Sequence, residues 1–393
     1  MSLKGVDLFA GCGGLSQGFS NAGVDLLAAF ENWETAAKCY EDNFNHPVYR
    51  EDLNNVDKVV GMIEELKPQI IIGGPPCQDF SHAGKRIEAG RASLTEAYAN
   101  IVTKVRPQYF LMENVDRAQK SNAYGVAREI FKNAGYGLTE RVLLASRCGV
   151  PQRRKRFFCI GVLGGEDGAL ADILDSGLSE KEMTVRDYLG DSLDTDFYYR
   201  HPRNYNRRGV FSIDEPAPTM RGVNRPIPKG YPGHPKDACK VSDGVRPLTT
   251  LERSLIQTFP ANFKWSGSKT DQEQMIGNAV PVNLGTYVAK AIIQFDKERK
   301  SIDLDLSNDA FTEWLEKEKK LSNRSASDAK SRLGRANDIL KLEDPSDPEF
   351  YLVALEKTKG FEALSKTVKS QLRRAVRLYA EYVSDHGGQY ASR

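Results

Sequence analysis

The chain is short of cysteine, with six in 393 residues and no two of them spaced as a Cys-x-x-Cys pair. That usage excludes a disulfide scaffold and a structural zinc site, and it predicts a reducing, cytoplasmic setting. No apolar run approaches the roughly 18–20 residues that a membrane helix needs. The N-terminus runs almost at once into Val6-Asp7-Leu8-Phe9, without a charged region and an apolar stretch before it, which predicts no signal peptide. Net charge is nearly absent too: 55 basic residues face 53 acidic ones, for a formal +2. A sum near zero does not exclude a nucleic-acid partner, because the local distribution of charge matters more. What remains is ordinary globular composition, 40% hydrophobic and 27% charged. At roughly 100–200 residues per domain, two or three domains are expected.

The first third alternates short apolar runs with helical stretches. Strands are expected at Gly5–Phe9, Leu26–Phe30, Ile70–Ile72 and Tyr109–Met112, and again at Phe157–Ile160. Helices fit at Leu15–Asn21, up to Tyr40, Val56–Leu66, Leu94–Val105 and Tyr124–Ala134. This alternation predicts an α/β fold with a mostly parallel, doubly wound sheet. Ligands in such sheets bind outside the carboxyl ends of the strands, and the unusual residues fall after Phe9, Phe30, Ile72 and Met112. Past about Gly164 the pattern degrades. Between Phe197 and Lys236, eight Arg and Lys face two acidic residues, with Tyr198, Tyr199, Tyr205 and Tyr231 interleaved. Such a stretch reads either as an irregular solvated insert or as a nucleic-acid contact. Helical patterns resume at Pro247–Phe259 and Val282–Phe295. From about Ser301 onward a separate helical unit is expected, with Phe311, Trp314 and Leu315 opening one helix and Val368, Leu372, Val376, Tyr379 and Val383 recurring along another.

Phe9-Ala10-Gly11-Cys12-Gly13-Gly14 closes a strand and opens the helix at Leu15. Glycines there let a ligand approach the backbone, and a helix N-terminus favours negative charge. The loop alone fits a plain tight turn, or sites for NAD, FAD or S-adenosylmethionine. Glu31 follows the second strand, where a carboxylate can accept from ribose hydroxyls. Trp33 can stack on an adenine ring, and Asp52, ahead of Leu53, can accept from an adenine amino group. Together these residues predict an adenosine-containing cofactor.

Gly73-Gly74-Pro75-Pro76-Cys77-Gln78 follows the strand at Ile70–Ile72. A lone cysteine is most often a small buried hydrophobe, but two glycines and two prolines fix an unusual backbone path and frame this thiol as a presented nucleophile. The next strand ends in Glu113-Asn114-Val115, and a partly desolvated carboxyl group can keep a proton and donate it. Gln152-Arg153-Arg154-Lys155-Arg156 precedes an apolar strand, which places a basic cluster at a site rather than on open surface.

In order along the chain, these motifs and Gly277-Asn278-Ala279-Val280-Pro281 resemble the cytosine-5 DNA methyltransferases of bacterial restriction–modification systems, over about residues 3–164 and 214–295. The resemblance implies a Rossmann-like catalytic domain over 1–164 and 246–300. It also implies a small, irregular target-recognition region over 165–245, with Glu215–Thr219 in its more regular part, and leaves an α-helical extension over 301–393. It implies S-adenosylmethionine as cofactor, held by Phe9, Gly11, Gly13, Gly14, Leu15, Glu31, Asp52, Leu53, Pro75, Leu94, Asn278 and Ala279. Asn32 and Trp33 are both candidates for the adenine face. It implies base flipping, with Cys77 adding to cytosine C6, Glu113 acting at N3, Arg156 at O2, Arg154 supporting Arg156 or a phosphate, and Pro76 holding the base. Gln78–Arg91 resembles a loop that closes over DNA, with Ser81, Lys85 and Arg91 in it. Gln78, Arg153, Thr219 and Arg221 complete the expected DNA contacts. No metal is implied.

The implied partner is double-stranded DNA. The implied setting is the cytoplasm of a bacterial or archaeal cell, with the enzyme monomeric and a cognate endonuclease acting without a stable complex. A tRNA-methylating relative would carry a Cys-Phe-Thr tripeptide, which is missing here. A DNA-binding regulator without turnover is opposed by the intact Cys77, Glu113 and Arg156. Phe311–Leu340 faintly resembles the helical core-binding domain of phage-type integrases. A stabilising, a partner-docking and a DNA-clamping role for 301–393 all stay open.

Overall fold

The computed structural model describes residues 2–76, 94–204, 206–241, 244–300, 309–340, 342 and 348–385. Cys77, Gln78, Ser81, Lys85 and Arg91 lie outside the described residues.

Eight strands and five helices make up the first half. The strands are β1 (Lys4–Leu8), β2 (Asp25–Phe30), β3 (Val48–Tyr49), β4 (Ile70–Gly73), β5 (Tyr109–Val115), β6 (Tyr136–Leu144), β7 (Gln152–Arg153) and β8 (Lys155–Leu163). The helices are α1 (Gly14–Asn21), α2 (Glu34–Glu41), α3 (Val56–Leu66), α4 (Leu94–Val105) and α5 (Asn122–Asn133). Seven strands form one sheet in the order β3-β2-β1-β4-β5-β8-β6. All run parallel except β8, which is antiparallel to both neighbours. The helical crossovers explain the parallel part, because parallel neighbours cannot be joined by a tight turn. The order reverses between β1 and β4, so this sheet has the switch point at which such folds bind ligands.

Alternation along β1 sorts its side chains by face. Val6 and Leu8 join a buried cluster with Ile71, Tyr98, Phe110, Met112 and Phe131. Asp7 faces the other layer and accepts a hydrogen bond from Ser16 of α1 at 2.6 Å. In the larger cluster, Phe110 stacks on Phe131 with ring centroids 4.1 Å apart.

The next segment adds α6 (Ala171–Ser176) and α7 (Val185–Leu189). The amide of Gly168 donates to Leu138 of β6 and that of Leu170 to the Thr139 hydroxyl, so residues 168–170 lean on the large sheet. The insert proper is β9 (Phe197–Tyr199), β10 (Val210–Ser212), β11 (Ala217–Pro218) and β12 (Arg246–Pro247). A three-stranded sheet of order β10-β9-β12 packs Tyr198, Phe211, Ile213, Met220 and Leu248 into its own small core. Strand β11 pairs with β7 instead and ties the insert to the basic cluster. Then follow α8 (Thr250–Ile256), α9 (Lys269–Asn278) and α10 (Val282–Lys300). Helices α8 and α9 start at capping boxes, Thr249 with Glu252 and Ser268 with Asp271.

The chain divides into two compact units, 1–292 and 293–393. The second holds α11 (Ala310–Lys317), α12 (Asn323–Ile339), α13 (Pro348–Glu356), α14 (Lys359–Glu362) and α15 (Lys366–Asp385). Its core gathers Phe311, Trp314, Leu333, Leu355, Leu372 and Tyr379. Among the described residues, no helix is long and apolar enough to cross a membrane.

Candidate active site

The glycine loop leaves β1 through a left-handed backbone. Phe9, Gly11 and Gly13 take φ values of 59°, 56° and 94°. For a residue with a Cβ such as Phe9, this costs roughly 1–2 kcal/mol, and strain of that kind gathers at binding sites. A Cβ at Gly13 would lie 2.3 Å from the Phe44 ring, whereas one at Gly11 would meet nothing within 4 Å. The loop is therefore closed on its protein side and open at Gly11. Glu31, at the exit of β2, spans the opening: its carboxylate accepts from the amides of Gly11 and Trp33, each at 2.7 Å. Burial pushes the Glu31 carboxyl up, against the pull of these backbone N–H groups. A carboxylate has about four acceptor sites, so ribose hydroxyls can still be received.

The other expected cofactor residues are placed unevenly. Gly14 and Leu15 are buried at the start of α1. Asn32 is exposed, while Trp33 is half-buried and packs on the cluster of Cys12, Ala36, Phe259 and Met275. Asp52 is exposed and accepts from the amide and side chain of Asn54, at 3.0 and 2.8 Å, and Leu53 is buried in the main cluster. Leu94 is half-buried, Asn278 exposed and Ala279 half-buried.

The strand exits of β4 and β5 come together. Pro75 is buried and its carbonyl accepts from the Asn114 side chain at 3.0 Å, whereas Pro76 is exposed. A Cβ at Gly74 would sit 3.0 Å from Oε2 of Glu113. The segment leading to Cys77 thus passes directly against the Glu113 carboxyl. On the neighbouring strand, Arg156 Nε pairs with Glu113 Oε1 at 2.7 Å, with side-chain exposures of 12% and 10%. Burial pushes the Glu113 carboxyl up, with Arg156 and Arg154 pulling the other way. Burial likewise lowers the Arg156 guanidinium.

Arg154 does not reach solvent. It is 1% exposed and donates to the carbonyls of Met220, Gly277 and Ala279 at 3.0, 2.9 and 3.0 Å. This sealed guanidinium ties the insert to the C-terminal end of α9, while its Nε has no hydrogen-bond partner among the described residues. The neighbouring Arg153 is exposed and pairs with Glu182 at 2.7 Å. Thr219 donates to the Arg153 carbonyl at 2.9 Å, and Arg221 donates to the carbonyl of His201.

Sequence reasoning passed over several residues that build this site. Asn114 holds the Pro75 carbonyl and accepts from the amide of Val115 at 2.8 Å. Gln152 donates to Gln257 at 2.7 Å and accepts from the amide of Met220 at 2.8 Å; Gln257 donates to the carbonyl of Ile276. This buried glutamine pair joins the basic cluster, the insert and α9. Asp7 is fully buried, and burial raises it to about 7. Ser16, which donates to Asp7, itself accepts from the Tyr40 hydroxyl at 2.6 Å.

A left-handed glycine loop at a switch point, an acidic residue at the next strand exit, and a carboxyl–guanidinium pair beside a third exit all lie along one edge of the α/β sheet. The family model for C-5 cytosine-specific DNA methylase matches residues 3–294. The chain is 60% identical over 298 residues to Type II methyltransferase M.HindV of Haemophilus influenzae, covering 75% of this chain and 98% of that protein. It is 53% identical over 305 residues to Type II methyltransferase M.HgiDI of Herpetosiphon aurantiacus, covering 77% and 98%. In fold it is similar to the Dnmt2 methyltransferase of S. pombe, with a TM-score of 0.56 at 18% identity over 75% of this chain and 99% of that one. The chain belongs to the C-5 cytosine-specific DNA methylase family, and the expected α/β methyltransferase fold with a C-terminal helical region is the one observed.

Proposed function

We propose that this protein methylates cytosine C5 within a specific sequence of duplex DNA and protects host DNA in a restriction–modification system. The observation that carries the reading is the buried Glu113–Arg156 pair, set against the backbone that leads into Cys77. Cytosine C5 is a poor nucleophile, and base stacking hides it, so the base must be flipped out. Cys77 adds to C6: a C6–S bond forms, the C5–C6 π electrons move into the ring, and C5 becomes nucleophilic. Glu113, pushed up by burial, holds a proton or hydrogen bond at N3 and limits negative charge on the ring. Arg156 donates to O2 while it keeps Glu113 oriented. Once C5 carries the new methyl group, a base removes the C5 proton and β-elimination releases the Cys77 thiolate.

S-adenosylmethionine supplies an electrophilic methyl group when bound. The residues fit it: the loop is open at Gly11, and the Glu31 carboxylate beside it suits ribose hydroxyls. Phe9, Gly13, Gly14, Leu15 and Trp33 would line its nucleoside end. Asn278 and Ala279, beside the Arg154 anchor, would close the pocket. Asp52, whose described hydrogen bonds go to Asn54, would remain within reach of the adenine amino group only through its second oxygen.

The test is methyl transfer from labelled S-adenosylmethionine to duplex DNA and, in parallel, to tRNA. Incorporation into duplex DNA that disappears in Cys77→Ser supports the reading. Incorporation into tRNA alone, or full activity of Cys77→Ser, refutes it.

A further inference from the structure

The C-terminal unit gathers positive charge in one place. Between Lys357 and Arg377 stand seven Lys and Arg and one acidic residue, Glu362, in a chain whose 55 basic and 53 acidic residues otherwise balance. Helical spacing turns this run into a surface. Lys366, Lys369, Arg373 and Arg377 recur at i, i+3, i+7 and i+11 along α15, so they share one face, away from the face that buries Leu372, Ala375 and Tyr379. The row is roughly 16 Å long. Helices α13 and α14 widen it. Lys369 and Arg373 both lie over the Phe361 ring, at 5.8 and 5.4 Å, and the Lys369 ammonium donates to the Glu362 carbonyl at 2.9 Å. Arg373 also pairs with Glu356 at 2.7 Å, which brings the exposed Lys357 and Lys359 beside the row.

Carboxylates do not cancel this face. Glu356 is taken by Arg373 and Glu349 by Arg377, each at 2.7 Å. Lys357, Lys359, Lys366 and Lys369 form no ion pair among the described residues, and Glu362 is the single carboxylate within the stretch. Lys366 and Lys369 sit in the first turn of α15, which holds no acidic residue. Positive charge there opposes the helix macrodipole, so the face is not arranged for the stability of its own helix. It offers a protein partner little. Among the described residues of this unit, Val353 is the one large apolar side chain that stands exposed, whereas a protein interface has an apolar centre depleted of charge.

We infer that this face binds the phosphate backbone of duplex DNA, as a second contact that adds affinity without reading sequence. The occupant follows from charge. A row of cations of this length matches about five phosphates of one strand, at roughly 3.4 Å each. Exposed lysines meet phosphates as mobile point charges, whereas base edges are read by planar forks. The unit belongs to the same chain as the methylase domain, so duplex held by one is offered to the other at a raised effective concentration. The inference rests on the proposed function for its substrate.

The experiment measures binding of the full chain to two duplexes against salt concentration, one with a site that the wild type methylates and one without. It compares the wild type with the triple variant Lys357→Gln/Lys359→Gln/Lys366→Gln and with Lys357→Arg/Lys359→Arg/Lys366→Arg. The glutamine triple should reduce the slope of log K against log salt by about 2–3, weaken both duplexes by the same factor and raise the Michaelis constant for duplex. The arginine triple should keep the wild-type slope. An unchanged slope in the glutamine triple, or a loss on one duplex only, overturns the inference. So does a glutamine triple that keeps its grip on duplex DNA and loses tRNA, which assigns the face to RNA. Should the glutamine triple not fold, acetylation of the wild-type lysines, read by mass spectrometry, decides. Duplex DNA should protect Lys357, Lys359 and Lys366, and equal labelling with and without duplex rejects the inference. A wild type that methylates no duplex DNA defeats the proposed function itself; an active wild type whose glutamine triple shows an unaltered slope defeats only this second contact.

Discussion

Arg156 and Glu113 meet diagonally across antiparallel strands, Arg156 standing opposite Val115 and Glu113 opposite Phe158, with Nε to Oε1 at 2.7 Å and both side chains nearly sealed from water. The pair stores a raised carboxyl group where a pyrimidine ring would need one. Glu113→Gln can still donate to N3 but cannot supply a proton. Its methyl transfer should fall by roughly 10²–10⁴-fold, with cofactor affinity unchanged. The wild type should lose rate as pH rises through the raised Glu113 value, and that alkaline limb should be missing from the variant. A pH–rate profile of both proteins checks this.

Arg154 holds three carbonyls from two segments, and lysine cannot reach all of them. Arg154→Ala leaves those buried acceptors unanswered at roughly 1–3 kcal/mol each. A loss of about 3 kcal/mol or more is expected in denaturant unfolding, and Arg154→Lys should not restore it. Stability equal to wild type in either variant would return Arg154 to a ligand role.

Asp7 titrates near pH 7 in the folded chain, against an ordinary value of 3.8, because it is buried. Between those values the folded state binds a proton that the unfolded state has released. The Asp7 contribution is therefore fully present below about pH 4 and is lost as pH rises through about 7. Asp7→Asn removes this dependence. Thermal unfolding from pH 5 to 8 should show the variant gaining on the wild type toward the alkaline end. Parallel curves would mean that Asp7 is not titrating in this range.

Gly277 is packed against the insert so closely that a Cβ would lie 2.1 Å from the amide nitrogen of Gly222. Neither backbone can yield without moving the Arg154 anchor. Gly277→Ala should destabilise by about 1–3 kcal/mol and lower methyl transfer on every DNA sequence alike. Differential scanning calorimetry paired with the transfer assay tests it.

Residues 293–393 form a unit with their own core, and the family match ends at 294. A chain ending at residue 300 should keep cofactor binding and methyl transfer within a few-fold of the full chain. Loss of transfer in a folded truncation would place part of the chemistry in α11–α15.

Five strands of the large sheet are legible because they are short apolar runs between helices with one apolar stripe; β3, only two residues long, and β6, broken by Thr139, Glu140 and Arg141, are not. The strand-exit residues were legible because glycine, proline and lone acidic residues stand out against such runs. The antiparallel placement of β8 was not, since Phe157–Ile160 reads the same in either direction. The carbonyl anchoring of Arg154 was equally hidden: its partners, Met220, Gly277 and Ala279, are distant in sequence and contribute only backbone atoms. A run such as Gln152–Arg156 shows charge but not which members turn inward. Alternation along β7 and β8 decides that, burying Gln152 and Arg154 and leaving Arg153 and Lys155 outside. The small sheet is hidden because its strands, Phe197–Tyr199, Val210–Ser212 and Arg246–Pro247, are only two or three residues long, too short to show an alternation.

The most direct test of the account is trapping on duplex DNA carrying 5-fluorocytosine at the methylated position, where the departing proton is replaced by fluorine. With S-adenosylmethionine present, a covalent protein–DNA adduct should form, and mass spectrometry should locate it on Cys77. Ready methylation of ordinary duplex DNA without any such adduct, or an adduct on another residue, would contradict it.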